Sequence, residues 1–172
     1  MKGVTMKTLV VYSSLTGNTK KATTWAFEAV IGEKELFSVE EAMKIDTSSY
    51  DRIIQGFWVD KGTLDPKSRK FLKQIKGKEL IFIGTLGAYP NSKHAIKVME
   101  RSKKIAEENN CYLGTCMVQG KMSDVLLKSM DKFPLNLIFR KTEERLERIQ
   151  VASFHPNEED KEKIQEFVRN LY

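Results

Sequence analysis

The chain has 172 residues and a mass of 19.8 kDa, with 41% hydrophobic and 30% charged residues, which is material for one core and one domain spanning 1–172 rather than two. Lys and Arg outnumber Asp and Glu by 29 to 23, a net charge of +6 that suits a solvated surface and does not demand nucleic acid. No stretch approaches the roughly 20 uncharged apolar residues of a membrane span, and Met1–Lys7 leads straight into a strand-like run without a secretory apolar core or cleavage site; the expected location is the cytoplasm, with no membrane partner.

Taken in order, the first β-branched and aliphatic run is Lys7–Tyr12, followed by a short polar loop and a helical stripe of Ala22, Trp25, Ala26, Ala29 and Val30. Glu35–Val39 and Arg52–Trp58 read as the second and third strands. Asp65-Pro66 then supplies a capping carboxylate and a proline at the first helical position, ahead of Phe71, Leu72 and Ile75. Glu79–Thr85 is the fourth strand, Ile96, Val98, Met99 and Ile105 mark the next helix, and Cys111–Val118 is the fifth strand. Residues 121–150 form a less regular insertion broken by Pro134. Its apolar run Phe133–Phe139 needs cover, and the expectation is that it packs against the core, with a docking surface as the sharper alternative. A last helix starts at Asn157, with Glu158, Glu159 and Asp160 in its first turn and a stripe of Ile164, Phe167, Val168 and Leu171.

Strand and helix alternate, and the first, third and fourth strands are almost wholly apolar. Right-handed crossovers then give a parallel sheet covered on both faces, a doubly wound three-layer α/β sandwich of five strands whose common order is 2-1-3-4-5. In such a sheet ligands gather where the winding reverses, at the carboxyl ends of the strands, and the loops after strands one, three and four meet there. Cys111 and Cys116 lie five apart and are expected on opposite faces as free thiols. No CxxC occurs and His94 and His155 are not at ligand spacing, so no metal site is expected. Nor is there a Ser/Cys–His pattern for nucleophilic catalysis.

The first of those loops, Ser13-Ser14-Leu15-Thr16-Gly17-Asn18-Thr19-Lys20, opens directly into a helix. Free N–H groups of a helix's first turn attract anions, the hydroxyls of Ser14, Thr16 and Thr19 add donors, and Gly17 permits close backbone approach. This is a phosphate cradle. It has neither the Gly-x-x-x-x-Gly-Lys-Ser/Thr spacing of a nucleotide-triphosphate loop nor Gly-x-Gly-x-x-Gly.

Ser14-Leu15-Thr16-Gly17-Asn18-Thr19 matches the flavodoxin phosphate loop Ser/Thr-x-Thr-Gly-Asn-Thr at every defined position, directly after the first strand. The chain resembles flavodoxins over essentially its whole length, and within them the small flavodoxin-domain proteins of anaerobic bacteria, one of which is found beside bilirubin reductase. The resemblance implies the flavodoxin-like order 2-1-3-4-5, non-covalently held FMN, and electron transfer to a partner reductase. It also implies that Trp58 and Tyr89 stack on or edge the flavin ring, with Thr85, Leu86 and Gly87 beside it. In this family a peptide near the ring reorients on reduction, a role that falls here to Asp60–Gly62. One departure concerns partners: the sequence pI is near 9.2, whereas many flavodoxins are acidic. Basic segments at Lys67, Arg69, Lys70, Lys73, Lys76 and Lys78 and at Arg101, Lys103 and Lys104 are either solvated faces or steering surfaces for an acidic redox partner. The alternative function is an FMN-dependent NAD(P)H oxidoreductase acting on a small-molecule acceptor.

Overall fold

Apolar residues on both faces of three runs force those runs to the centre of a sheet. In the computed structural model, which describes residues 6–172, they are β1 (Lys7–Tyr12), β3 (Arg52–Asp60) and β5 (Glu79–Leu86), flanked by β2 (Glu33–Ser38) and β6 (Cys111–Gln119). The start of the chain, Met1–Thr5, on which the leader reading rests, lies outside the described residues. All five strands are parallel in the order β2-β1-β3-β5-β6, the expected 2-1-3-4-5 when the long strands alone are counted.

Alternation along each strand divides the core into two layers. Leu9, Val11, Ile53, Phe57, Leu80 and Phe82 face α2 (Val39–Ala42), α3 (Pro66–Leu72) and α4 (Lys93–Glu107). Val10, Ile54, Ile81 and Ile83 face α1 (Asn18–Ala29) and α8 (Glu158–Arg169). Trp25 is buried in the second layer, as its stripe predicted, and Ile164 and Val168 bring α8 against the same face. Phe57 and Phe82 pack edge to face, their ring centroids 5.7 Å apart. Helix α1 closes tightly on the sheet at Gly56, where a Cβ would lie 1.8 Å from Thr23 Oγ1. Only glycine lets α1 sit this close to β3.

Local chemistry moves several boundaries. The second strand ends at Ser38, one residue early, because Ser38 Oγ accepts from Glu41 N–H while the Glu41 carboxylate accepts from Ser38 N–H; this capping box starts α2 at Val39. The third strand runs on through Trp58 to Asp60, turns at Lys61 and Gly62 with φ of 48° and 78°, and returns as the antiparallel β4 (Thr63–Leu64). Two consecutive positive φ angles make this the tight hairpin turn that matches strand twist. In β6 the register steps from Leu80↔Tyr112 to Ile81↔Gly114, leaving Leu113 as an extra residue. That bulge reverses the parity expected for the cysteines. Cys111 and Cys116 pair with Glu79 and Ile83, two positions on the same face, yet the four-residue offset keeps them about 13 Å apart and both thiols are free.

Between β6 and α8 stand α5 (Asp124–Met130), α6 (Leu135–Ile138) and α7 (Glu143–Ala152). The expected packing of Phe133–Phe139 against the core does not occur: α6 buries no residue, and Phe133 is 79% exposed.

Candidate functional site

The polar loop after β1 is fixed from below before it reaches solvent. Ser13 N–H donates to the Gly56 carbonyl (3.0 Å), and Ser13 Oγ donates to Asp65 Oδ1 (2.7 Å). Asp65 is fully buried and its carboxylate also accepts from Lys67 and Ser68 N–H (3.1 Å each) and from Ser68 Oγ (2.7 Å). The side chain legible in sequence as the cap of α3 therefore also anchors the loop. Gln55 extends the network, donating to the Gly56 carbonyl (2.7 Å) and to Ser68 Oγ (3.1 Å).

Above this floor, Gly17 adopts φ 93° and its N–H donates to Ser14 Oγ (3.0 Å). Leu15, Thr16 and Gly17 are exposed. Helix α1 then begins with neither a side-chain cap nor an acidic residue in its first turn, whereas Asp65, Ser92, Ser123, Thr142 and Asn157 cap α3, α4, α5, α7 and α8. Its first N–H groups are left for an external acceptor, and the positive end of the helix dipole favours an anion. A phosphate fits this donor set.

The structure sorts the remaining expected residues by what they touch. Asn18 Nδ2 donates to the Lys121 carbonyl (2.8 Å), away from the open cradle. Thr19 is buried and its hydroxyl pairs with that of Thr85 at 2.8 Å, tying the loop to β5. Trp58 sits opposite Thr85 in the register, half-buried on the α1 face of the sheet. It belongs to β3 itself rather than to the loop after it. Asp60 pairs with Thr63 at the start of the hairpin. The Gly62 carbonyl accepts from Arg101 Nη1 (2.9 Å), and a Cβ at Gly62 would lie 2.5 Å from the same nitrogen. The side chain of Leu86 is buried in the layer under α3 and α4, leaving only its backbone to the site edge. The Gly87 carbonyl accepts from Gln119 Nε2 (3.3 Å), and the Met122 side chain packs over Gly87 so closely that a Cβ there would lie 2.6 Å from Met122 Cγ. Tyr89 is half-buried, its carbonyl taking Ser92 N–H (3.0 Å).

All these positions lie along the carboxyl edge of the sheet. Sequence reading missed four contributors to that edge: the second role of Asp65, and Arg101, Gln119 and Met122. Arg101 stood in the sequence only as part of a basic segment. The other basic segment leads away from the site: Lys67 stands beside Asp65, but Arg69, Lys73 and Lys76 line a cleft of about 320 Å³ with Glu108 and Asn109 where the chain enters β5 and β6, at the amino edge of the sheet.

Comparison with known proteins agrees with this geometry. Residues 9–169 match the flavodoxin domain family. The chain is 32% identical over 169 residues to the flavodoxin-like domain-containing protein BilS of Clostridioides difficile, covering 96% of each. The chain belongs to the flavodoxin family. Among solved structures, the Streptococcus pneumonia TIGR4 flavodoxin superposes with a TM-score of 0.58 at 14% identity, over 95% of this chain and 96% of its own. The Lactobacillus acidophilus NCFM flavoprotein, solved in complex with FMN, gives 0.54 at 18% identity, over 74% of this chain and 99% of its own. These last two likenesses establish the fold.

Proposed function

We propose that this chain, as one cytoplasmic flavodoxin-like domain, binds FMN non-covalently at the carboxyl edge of its sheet and carries electrons from a cellular donor to a partner reductase. The observation that carries this reading is the uncapped amino end of α1 behind the open Leu15–Gly17 turn, braced by Asp65. Hydrogen bonds to a charged group contribute about 1.5–3 kcal/mol each, so a few first-turn amides suffice to select a phosphate ester. Trp58 and Tyr89 flank the ring in this proposal, each aromatic contact adding about 0.5–1.5 kcal/mol beyond area burial. When bound, FMN supplies one- and two-electron chemistry, and the protein sets its potentials through nearby hydrogen bonds and charge. The Asp60–Gly62 turn is the proposed adjustable element. Its Gly62 carbonyl is held by Arg101, so any reorientation of that peptide exchanges this bond for another.

The test is to reconstitute the purified chain with FMN, reduce it chemically, and mix it anaerobically with a candidate reductase, bilirubin reductase being the first to assay. The expected result is a yellow protein that reduces the acceptor directly and does not turn over NAD(P)H alone. Steady-state NAD(P)H oxidation without a partner contradicts the carrier reading and favours the oxidoreductase. A colourless protein that takes up no FMN contradicts both.

A further inference from the structure

The excursion between β6 and α8 departs and returns through one neck. Lys121 N–H donates to the His155 carbonyl (3.1 Å), Asn18 Nδ2 to the Lys121 carbonyl (2.8 Å) and Lys21 Nζ to the Pro156 carbonyl (2.9 Å). The neck is thereby tied to the first turns of α1, beside the phosphate cradle. A polar knot ties the middle of the excursion together. Buried Arg145 donates through both terminal nitrogens to Asp131 Oδ1 (3.1 Å) and through Nη1 to the Phe139 carbonyl (2.7 Å), while Lys141 pairs with Asp131 at 2.8 Å. Arg145 and Met130 are buried, while Phe133, Leu137 and Ile138 are 79%, 61% and 73% exposed. Lys128 and Lys132 precede this run and Arg140 follows it, and none of the three makes an ion pair among the described residues.

We propose that the Phe133–Phe139 face is the docking surface for the electron-accepting protein, which presents an apolar cleft rimmed by carboxylates. This inference rests on the carrier reading given above. Two observations select the occupant. The neck stands on the carboxyl edge beside the cradle, so the excursion leaves and rejoins the fold where an acceptor's redox centre must approach. Lys132 directly before the apolar run and Arg140 directly after it, both without an ion pair among the described residues, complement an apolar cleft bordered by carboxylates, in which the apolar part supplies affinity and the charges supply orientation and association rate. The Arg69, Lys73 and Lys76 cluster, at the other edge, cannot serve this contact.

The experiment measures the second-order rate of electron transfer from the reduced FMN-loaded chain to bilirubin reductase, at low and high salt, for the wild type, Phe133→Ser/Ile138→Ser and Lys132→Glu/Arg140→Glu. FMN affinity and reduction of ferricyanide are the controls. The expected outcome is a rate at least about tenfold lower for the apolar variant at either salt, a lower and salt-insensitive rate for the charge-reversal variant, and unchanged controls for both. An undiminished rate in the apolar variant overturns the docking surface and leaves the carrier reading standing. So does loss of binding to phosphatidylglycerol vesicles in both variants with transfer intact, which would assign the face to lipid. Wild-type chain that holds FMN and reduces ferricyanide but not the reductase also overturns the proposal, whereas wild-type chain that holds no FMN overturns the carrier reading itself.

Discussion

Asp65 joins two parts of the chain that sequence distance separates: its carboxylate caps α3 and grips Ser13 at the floor of the cradle. Replacing Asp65 by Asn removes the charge that four donors converge on. We expect a loss of about 1.5–3 kcal/mol in urea denaturation, and FMN affinity falling more than riboflavin affinity, since only the former uses the loop that Ser13 steadies. Equal losses for the two flavins would assign Asp65 to stability alone. Gly56 acts by absence. Gly56→Ala places a methyl 1.8 Å from Thr23 Oγ1, and the overpacking is expected to cost about 1–3 kcal/mol, part of it recovered in the double variant with Thr23→Ala. Calorimetric or denaturant unfolding of the three variants checks this. At this scale the sequence exposed the motif Ser14–Thr19 and the aromatics Trp58 and Tyr89, because each is a local pattern. It did not expose Asp65 as an anchor or Arg101 as the partner of Gly62, because those contacts form only when distant elements meet.

The elements show where local rules suffice. Strand and helix alternation and the caps at Asp65 and Asn157 were readable from hydrophobic period and side-chain chemistry. The hairpin at Lys61–Gly62 and the bulge at Leu113 were not, since a non-glycine residue at positive φ and one extra residue in a strand leave no periodic trace. An edge element also carries a pH dependence. The hydrogen bond from the Tyr50 hydroxyl, followed by that from Lys7, holds the Glu35 carboxyl of β2 below its usual range. Tyr50 is pushed up to about 12, by burial first and by Glu35 second. A depressed carboxyl contributes stability above its unfolded value of about 4.3, lost as pH falls, and a raised phenol contributes below its unfolded value of about 10, lost as pH rises. The stability difference between wild type and Tyr50→Phe is therefore expected to be greatest from about pH 5 to 10 and to narrow on either side. A difference independent of pH, measured by urea denaturation across that range, would show that the pair is not coupled to folding.

For the whole molecule, the sheet order followed from buried central strands and right-handed crossovers, and the structure has it. The excursion was the part that composition misjudged. An apolar run suggests core, yet this one forms the short helix α6 with no buried residue, and the side chain that is buried beneath it is Arg145, which donates to the Phe139 carbonyl and to the exposed Asp131. Charge was misleading in a related way: a net +6 identifies no docking face, and the fold sends one basic cluster to the far edge of the sheet while Lys132 and Arg140 lie on the excursion, on either side of its apolar run. The most direct measurement of the central claim is the affinity of the apoprotein for FMN against riboflavin, two ligands that share a ring and differ by the phosphate, read by quenching of flavin fluorescence. If α1 receives the phosphate, FMN binds at least about a hundredfold more tightly, the equivalent of two charge-assisted hydrogen bonds. Equal affinities, or no uptake of FMN, would contradict it.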